Sequence, residues 1–589
     1  MALDSMREAA GERRAGMEAY DYIIVGAGSA GCVLAERLTA SGRNKVLLIE
    51  AGGSDDRFWI KVPLGYAKTY SDPAVNWCYT ASVDPGLNDR RIFWPRGRVI
   101  GGSSSINAMA YLRGLPQDFD DWERAGAKGW NWQTVRAAFE VLETHVGPDR
   151  AGNSRTSGHG PVQVADCSDR MHPFSEHFLQ AARDMGWPVP SHLNGSVHEG
   201  IARLRSTMKD GRRWSAADAF LRPALRRSNL HVLKNALVRR IVFQGRQAVG
   251  VAYCAQGETH IVRCGREVLL SAGAVNSPQL LQLSGIGPSA LLQRLGITVR
   301  HALENVGQGL QDHLCISHIF HATEPTLNNR LGSWSGQFLA GLAYVLLRRG
   351  PLSVPVNQVG GFVRSSKDAG DAIQVYCNPM SYRVGAKGPE IDSTAGFSLA
   401  TQPCRPTSRG EIAIVSNDPE IAPAIRPNSL STDYDREQAI AAGRLLERLA
   451  ATASIRAVTR ARTVPGTLPM SDSDRLEDFR ARATSVYHAS CTCRMGTDAK
   501  TSVVDWQLRV HGAAGLRVID ASAFPNVTSG NTNAPVMMLA ARAADMILER
   551  AAGPDAVPVM SSMPDQGHPR TAVVAGKNHI KSPAAVGAK

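Results

Sequence analysis

Tyr22-Ile23-Ile24-Val25-Gly26-Ala27-Gly28-Ser29-Ala30-Gly31 is the stretch that decides the fold. Four residues, three β-branched and one aromatic, read as a short strand buried on both faces. Three glycines spaced G-x-G-x-x-G follow at once. The first permits a tight turn, the second lets backbone approach a pyrophosphate, and the third lets helix and strand pack closely. A helix is then predicted over 32–40, with Val33, Leu34 and Leu38 on its apolar side. Val46-Leu47-Leu48-Ile49 is the next strand and ends at Glu50, nineteen residues after Gly31. An acid at that distance is placed to accept from ribose hydroxyls. Strand, turn, helix, strand and acid agree on a dinucleotide-binding βαβ unit. The pattern leaves FAD and NAD open. Gly307-Gln308-Gly309 lacks the third glycine, so no second complete fingerprint accompanies the first.

Two further apolar strands are expected far away in the chain, at 267–271 and 516–520. Ser277-Pro278 reads as a helix start, with a stop at 284–288, since proline is favoured at the first helical position. The parallel sheet is therefore expected to be assembled from early, middle and late segments, leaving 320–480 mainly for a second domain.

The chain has 589 residues, 43% hydrophobic and 20% charged, which is an ordinary globular composition long enough for more than one domain. Its net charge is +13, but the arginines are scattered and no basic run is interleaved with aromatics, so no nucleic-acid partner is expected. The ten cysteines are dispersed, as in a reduced protein, and the Cys491/Cys493 pair has no second ligand pair at metal-site spacing. No metal is expected. Residues 1–18 are polar, lack the apolar core of a secretory signal, and are expected to be disordered, with Met17 a second candidate start. The tail at 553–589, rich in Ala, Pro, Gly and Ser, is also expected to be disordered. No run of about twenty apolar residues is present, so no transmembrane segment is expected. The longest apolar run, 338–347, precedes Arg348-Arg349 and is expected to be a buried helix, with a membrane-surface contact as the alternative.

Near the C-terminus, Tyr487-His488-Ala489-Ser490-Cys491-Thr492-Cys493-Arg494-Met495-Gly496 carries a histidine with no nucleophile or phosphate loop beside it. Gly530-Asn531-Thr532-Asn533-Ala534-Pro535 follows about forty residues later. A histidine suits proton abstraction because its unperturbed pKa lies near 6.5. At 95–114 stands Pro-Arg-Gly-Arg-Val-Ile-Gly-Gly-Ser-Ser-Ser-Ile-Asn-Ala-Met-Ala-Tyr-Leu-Arg-Gly, and at 273–287 Gly-Ala-Val-Asn-Ser-Pro-Gln-Leu-Leu-Gln-Leu-Ser-Gly-Ile-Gly. Together these segments resemble the signatures of the glucose–methanol–choline (GMC) flavoprotein oxidoreductases. The resemblance runs from about Tyr20 to about Arg550. It includes Asn76-Trp77, Val306-Gly307 to Asp312-His313, Ser408-Arg409-Gly410 and both C-terminal motifs.

The resemblance implies an α/β protein: a Rossmann-like FAD-binding domain from 19–160, 205–315 and 480–552, and an α+β substrate domain with a mainly antiparallel sheet from 161–204 and 316–479. It implies that FAD is held by Gly26, Gly28, Ser29, Ala30, Gly31, Glu50, Ala51, Trp77, Arg98, Gly102, Ser103, Asn107, Ala108, Val238, Asp520, Ala521, Asn531, Thr532 and Asn533. Some members link FAD covalently through a histidine just before the first-signature asparagine. Here that residue is Ile106, so noncovalent FAD is expected. The implied reaction is oxidation of a primary alcohol to an aldehyde, with hydride transfer to flavin N5, His488 as base and Asn531 as its partner. His313 is expected to be structural. Members usually carry glycine where this chain has Cys491; both are small, and little change in chemistry is expected.

Tyr487 and Cys315 are expected to line the substrate pocket. Choline-oxidising relatives carry glutamate where this chain has Cys315. A neutral thiol supplies no charge for an ammonium group, so an uncharged alcohol is preferred and choline dehydrogenase is the alternative. Hydroxynitrile lyases and fatty-acid photodecarboxylases on the same fold are the rivals. The expected acceptor is a quinone or other carrier rather than oxygen. The expected location is cytoplasmic, with a peripheral place at the inner membrane as the further reading.

Overall fold

The computed structural model describes residues 20–148, 154–365, 371–385, 388–466 and 470–552. The segments expected to be disordered, 1–18 and 553–589, lie outside the described residues. One compact unit extends to Ile547 and contains everything discussed below; a second begins at Leu548.

Tyr20–Val25 and Val46–Ile49 form as the apolar pattern demands and pair in parallel. Ile23, Ile24 and Leu48 are completely buried, and each such side chain contributes roughly 1.5–3 kcal/mol by leaving water. Leu230–Leu233 extends the sheet on one side, while Glu258–Leu270 and then Leu516–Val518 extend it on the other, all in parallel where they meet. The sheet therefore draws on early, middle and late sequence. Glu258–Leu270 changes partners along its length. Its first half closes an antiparallel hairpin with Gln247–Ala255 and is largely exposed. Its last residues are buried between the parallel strands.

A second sheet is antiparallel, in the order Thr459–Val464, Leu314–Ala322, Gly396–Pro403, Ala372–Asn378, Val359–Arg364 and Gly200–Arg203. Successive strand residues point to opposite faces. Ile316, Val375 and Leu399 pack with Ala442, Leu446 and Leu449 of the helix Asp433–Ala450. Cys315, Tyr376 and Ala400 fall on the other face with Leu112 and Phe362.

Two helices differ from expectation. The first signature helix is Ser29–Thr39, three residues earlier than the apolar pattern suggests, because Gly28 already stands at its N-cap. The helix after the third glycine-rich turn is Gly273–Leu283, with Pro278 inside it rather than at its start. Pro278 has no N–H for the Ala274 carbonyl, and the Thr492 hydroxyl donates to that carbonyl instead at 2.7 Å.

The expectation of a buried helix at 338–347 is overturned. The helix Trp334–Leu347 buries only Ala340 and Tyr344. Phe338, Leu339, Leu342, Val345, Leu346 and Leu347 are exposed. Its apolar residues run nearly round the helix, so one side satisfies the core and the rest are left outside. Among the described residues no helix is long and apolar enough to cross a membrane.

Candidate active site

A cavity of about 1100 Å³ runs from the glycine turn to the C-terminal histidine. At its first end, Gly26 has φ +98, and a Cβ there would come within 2.6 Å of the Ser271 carbonyl oxygen. A Cβ on Gly31 would stand 1.9 Å from the Gly26 carbonyl oxygen, which is the close helix–strand packing read from the sequence. Gly28, Ser29 and Ala30 line the cavity, with Glu50, Ala51, Trp77, Val238 and Ala236 along the same wall. Gly31 stands behind the lining. Arg98 is also outside it, with its guanidinium 4.7 Å above the Trp77 ring.

Glu50 is buried at the end of its strand. Its Oε2 accepts from the Ala27 N–H and its Oε1 from the Gly52 N–H, both at 2.8 Å. Burial raises its pKa to about 7, against those two hydrogen bonds. Each oxygen keeps a second lone pair for a ligand hydroxyl. Gly101 and Gly102 both adopt positive φ, and a Cβ on Gly102 would sit 2.6 Å from Gly28 Cα. The first signature thus lies against the nucleotide turn and presents Gly102, Ser103, Asn107 and Ala108 to the cavity. Asp520 touches the cavity, but both of its oxygens are taken up in holding the wall. Oδ2 accepts from the Gly273 N–H and Ser277 Oγ, and Oδ1 from the Ser522 N–H and Oγ. Ala521, Thr532 and Asn533 complete this wall, with Asn533 Oδ1 accepting from Ser29 Oγ at 2.7 Å.

These features fit FAD. A helix N-terminus faces the cavity without a side-chain cap, which favours phosphate. The glycine cradle has space that a Cβ would fill, and the Glu50 carboxylate lines the same cavity with lone pairs to spare.

At the other end, Thr484–Ser485 pairs with Leu314 and Cys315. This short ladder brings 312–313 against 485–488. Asp312 Oδ1 accepts from the His488 backbone N–H at 2.7 Å and its Oδ2 from Ser485 Oγ. Burial lifts Asp312 to about 6. Arg96 donates from Nη1 to the Tyr487 carbonyl at 2.7 Å. Tyr487 and Cys491 both have positive φ, so the loop bearing His488 is held in an uncommon conformation on either side of it.

His488 is buried, with Nδ1 2.9 Å from His313 Nδ1 and Nε2 3.2 Å from Asn531 Nδ2. His313 Nε2 lies 2.8 Å from the Cys404 carbonyl. A carbonyl only accepts, so His313 carries its proton on Nε2. Burial lowers the His313 pKa to about 4, so it is neutral and its Nδ1 is an acceptor. His488 must then carry its proton on Nδ1. Its Nε2 is left as a lone pair, facing the Asn531 amide. Burial, then His313, then Arg96 hold the His488 pKa well below its ordinary value. The pair presents one acceptor and one donor to the same point of the cavity.

Cys315 and Tyr487 both line this end. Burial pushes the Cys315 thiol up to about 12, so it is uncharged. Tyr66, Tyr70, Tyr376 and Tyr382 join them, and the Tyr70 and Tyr487 hydroxyls are 2.5 Å apart. The sequence reading missed these four tyrosines because they lie in segments without a motif. Arg96 was inside a quoted segment, but nothing in the sequence tied it to 487.

The family description "GMC oxidoreductase" matches residues 20–315 with its N-terminal model and 406–540 with its C-terminal model. The chain belongs to the GMC oxidoreductase family. It is 40% identical over 534 residues to an alcohol dehydrogenase [acceptor] of Pseudomonas putida, covering 90% of this chain and 96% of that one. It is 40% identical over 538 residues to human mitochondrial choline dehydrogenase, covering 90% and 89%. Among solved structures, pyridoxine 4-oxidase from Mesorbium loti superposes with TM-score 0.79 at 29% identity, covering 89% of this chain and 98% of that one. A formate oxidase superposes with TM-score 0.82 at 25% identity, covering 91% and 99%. The fold and the cavity of this GMC oxidoreductase are thus those of a family of redox enzymes.

Proposed function

We propose that this GMC oxidoreductase performs FAD-dependent oxidation of an uncharged primary alcohol to the aldehyde, with His488 as the base. The observation that carries the reading is the His488–Asn531 pair: an unprotonated Nε2 and an amide N–H 3.2 Å apart, both facing the cavity. An alcohol oxygen seated between them donates its proton to His488 Nε2 and accepts from Asn531 Nδ2. Bound FAD supplies the acceptor for the carbinol hydride. Asn531 stabilises the negative charge that grows on oxygen as the proton leaves. His313 accepts from His488 Nδ1 and keeps the other nitrogen free, so it acts as a positioning residue. Burial of His488 excludes competing water from the base.

Gly26, Gly28, Ser29, Ala30, Glu50, Ala51, Trp77, Gly102, Ser103, Asn107, Ala108, Val238, Asp520, Ala521, Thr532 and Asn533 are assigned to the wall that holds FAD. Gly31 acts through packing and Arg98 through Trp77. Ile106 offers no nucleophile to the cofactor, so FAD is held noncovalently; acid precipitation should release all the flavin into the supernatant. The nucleotide domain takes 19–160, 205–315 and 480–552, and the substrate domain 161–204 and 316–479. We assign a quinone-type or other carrier as acceptor and a cytoplasmic location, with a peripheral place at the inner membrane as the second reading.

Choline is the second reading, favoured by Tyr66, Tyr70, Tyr376, Tyr382 and Tyr487, whose ring faces suit a quaternary ammonium. The neutral Cys315 favours the uncharged alcohol. A panel of primary alcohols including choline, mixed anaerobically with the holoenzyme, decides between them. Bleaching of the flavin by alcohols excludes a hydroxynitrile lyase. Bleaching by choline alone would overturn the uncharged-alcohol assignment. Steady-state assays should run fast with an artificial carrier and slowly with oxygen. Rapid peroxide formation would overturn the dehydrogenase assignment.

A further inference from the structure

The helix Trp334–Leu347 has no charged residue in fourteen. Trp334 is 81% exposed, Phe338 60%, Leu339 62%, Leu346 68% and Leu347 67%. At about 100° per residue, the exposed apolar positions from Trp334 round to Leu347 cover more than half the circumference. Isolated exposed leucines are ordinary, but a continuous apolar surface is a docking site. Phe58 and Trp59 add two exposed aromatics beside it, Phe58 meeting Tyr344 edge-on at 6.2 Å.

The helix is fixed rather than loose. Ser333 Oγ caps its start by accepting from the Gly336 N–H, and Arg348 ends it in the left-handed conformation. Tyr344 donates to the Lys61 carbonyl, and Ala340 packs with Leu64, Leu331 and Met380. The helix also borders the cavity: Gln337, on its exposed part, lines the cavity with Trp59, Leu64, Leu331 and Leu352.

Cations stand at both ends of the helix. Arg330 precedes the helix and Arg348-Arg349 follow it. The turn 209–212, carrying Lys209 and Arg212 with one acid, Asp210, packs against the Arg348 backbone, where a Cβ on Gly211 would meet the Arg348 carbonyl at 2.6 Å. Lys68 is exposed at the cavity. An apolar helix flanked at both ends by arginine and lysine, with aromatics at its edge, has the makeup of a helix that lies in a lipid interface.

We propose that the Trp334–Leu347 helix, with Phe58 and Trp59, docks this enzyme on an anionic lipid bilayer and opens the substrate cavity towards that surface. A second copy of the chain is the rival occupant. It is disfavoured because pairing through one helix covers a stripe, whereas the exposed apolar arc here exceeds half the helix. The docking stands on exposure and charge. Only the direction of access to the cavity rests on the alcohol-oxidation reading.

The test uses the full-chain holoenzyme and vesicles of phosphatidylcholine with or without phosphatidylglycerol. Wild type should sediment with the phosphatidylglycerol vesicles and weakly with phosphatidylcholine alone. The triple variant F338S/L342S/L346S should lose vesicle affinity by at least tenfold, roughly the loss of a few buried apolar side chains. It should keep its bound flavin and its turnover of a water-soluble alcohol. Arg212→Gln with Arg349→Gln should weaken binding to the anionic vesicles roughly fivefold per charge, without changing the weak binding to phosphatidylcholine. Undiminished vesicle binding by the triple variant overturns the proposal. So does a wild type that ignores vesicles and forms a dimer by light scattering that the triple variant breaks. If no alcohol bleaches the flavin while vesicle binding follows the pattern above, the docking stands and the alcohol reading falls.

Discussion

The two ends of the cavity are built by different means. At the nucleotide end, Gly26, Gly28 and Gly31 lie within six residues and Glu50 follows on the next strand. The glycines and Glu50 that shape the turn are close in sequence, and Ser271 and Asn533 add hydrogen bonds to it from distant segments. At the reaction end, His488 is held by Asp312, His313 and Arg96, and meets Asn531. None of those partners is closer than forty residues in sequence. A local motif can specify where a cofactor lies. The protonation state of a base is specified by neighbours that only the fold brings together.

The largest blow to this contrast should come from His488→Ala. Turnover of the alcohol should fall by roughly 10²–10⁴-fold, with the flavin spectrum intact. A variant that loses its flavin instead would make His488 part of the cofactor's support. Asn531→Ala should lower kcat by roughly 10²–10³-fold, measured by anaerobic flavin reduction. A change confined to KM would remove it from the reacting centre. Gly31→Ala reverses the pattern: its Cβ would enter the Gly26 carbonyl. The strain, roughly 1–3 kcal/mol, should appear as weak flavin retention and a lower melting temperature, while residual holoenzyme turns over normally.

Smaller effects test the electrostatics. His488 works as a base only when neutral, and its pKa is depressed. Therefore kcat/KM should rise with pH through a limb below 6.5 and be flat at neutral pH. Arg96 is one cause of the depression, so Arg96→Gln should move that limb to higher pH; a limb that stays put would show burial and His313 to suffice. Cys491→Gly should have the least effect. It releases roughly 1–2 kcal/mol of left-handed backbone cost, and loses a buried thiol in contact with Gln311 and Ser490. The melting temperature should stay within about 3 °C of wild type. The φ of +72 at Cys491 is one that glycine adopts without strain.

Much of the fold was legible because strand and helix periodicities are local. The parallel strands were visible as apolar runs at 22–25, 46–49, 267–271 and 516–520, and the ends of their parallel pairing in the structure differ from these by a few residues at most. Pro278 was misplaced because its cost is removed by Thr492, more than two hundred residues away. The helix at 334–347 was misjudged for a related reason. An apolar run shows that a helix avoids water, but not what covers it. Here the core accepts only Ala340 and Tyr344. The tyrosines of the pocket were invisible because an aromatic in an unmarked segment looks the same whether it packs a core or faces a substrate.

The sequence by itself determined the glycine turn, the order of the signatures, and the residue types of the proposed base and its partner. Those follow from short-range geometry and from chemistry that few side chains supply. Tertiary structure alone decided which nitrogen of His488 is free, since that depends on the proton His313 gives to the Cys404 carbonyl. It also decided which side of an uncharged helix faces outward, because burial belongs to the assembled core and not to the segment.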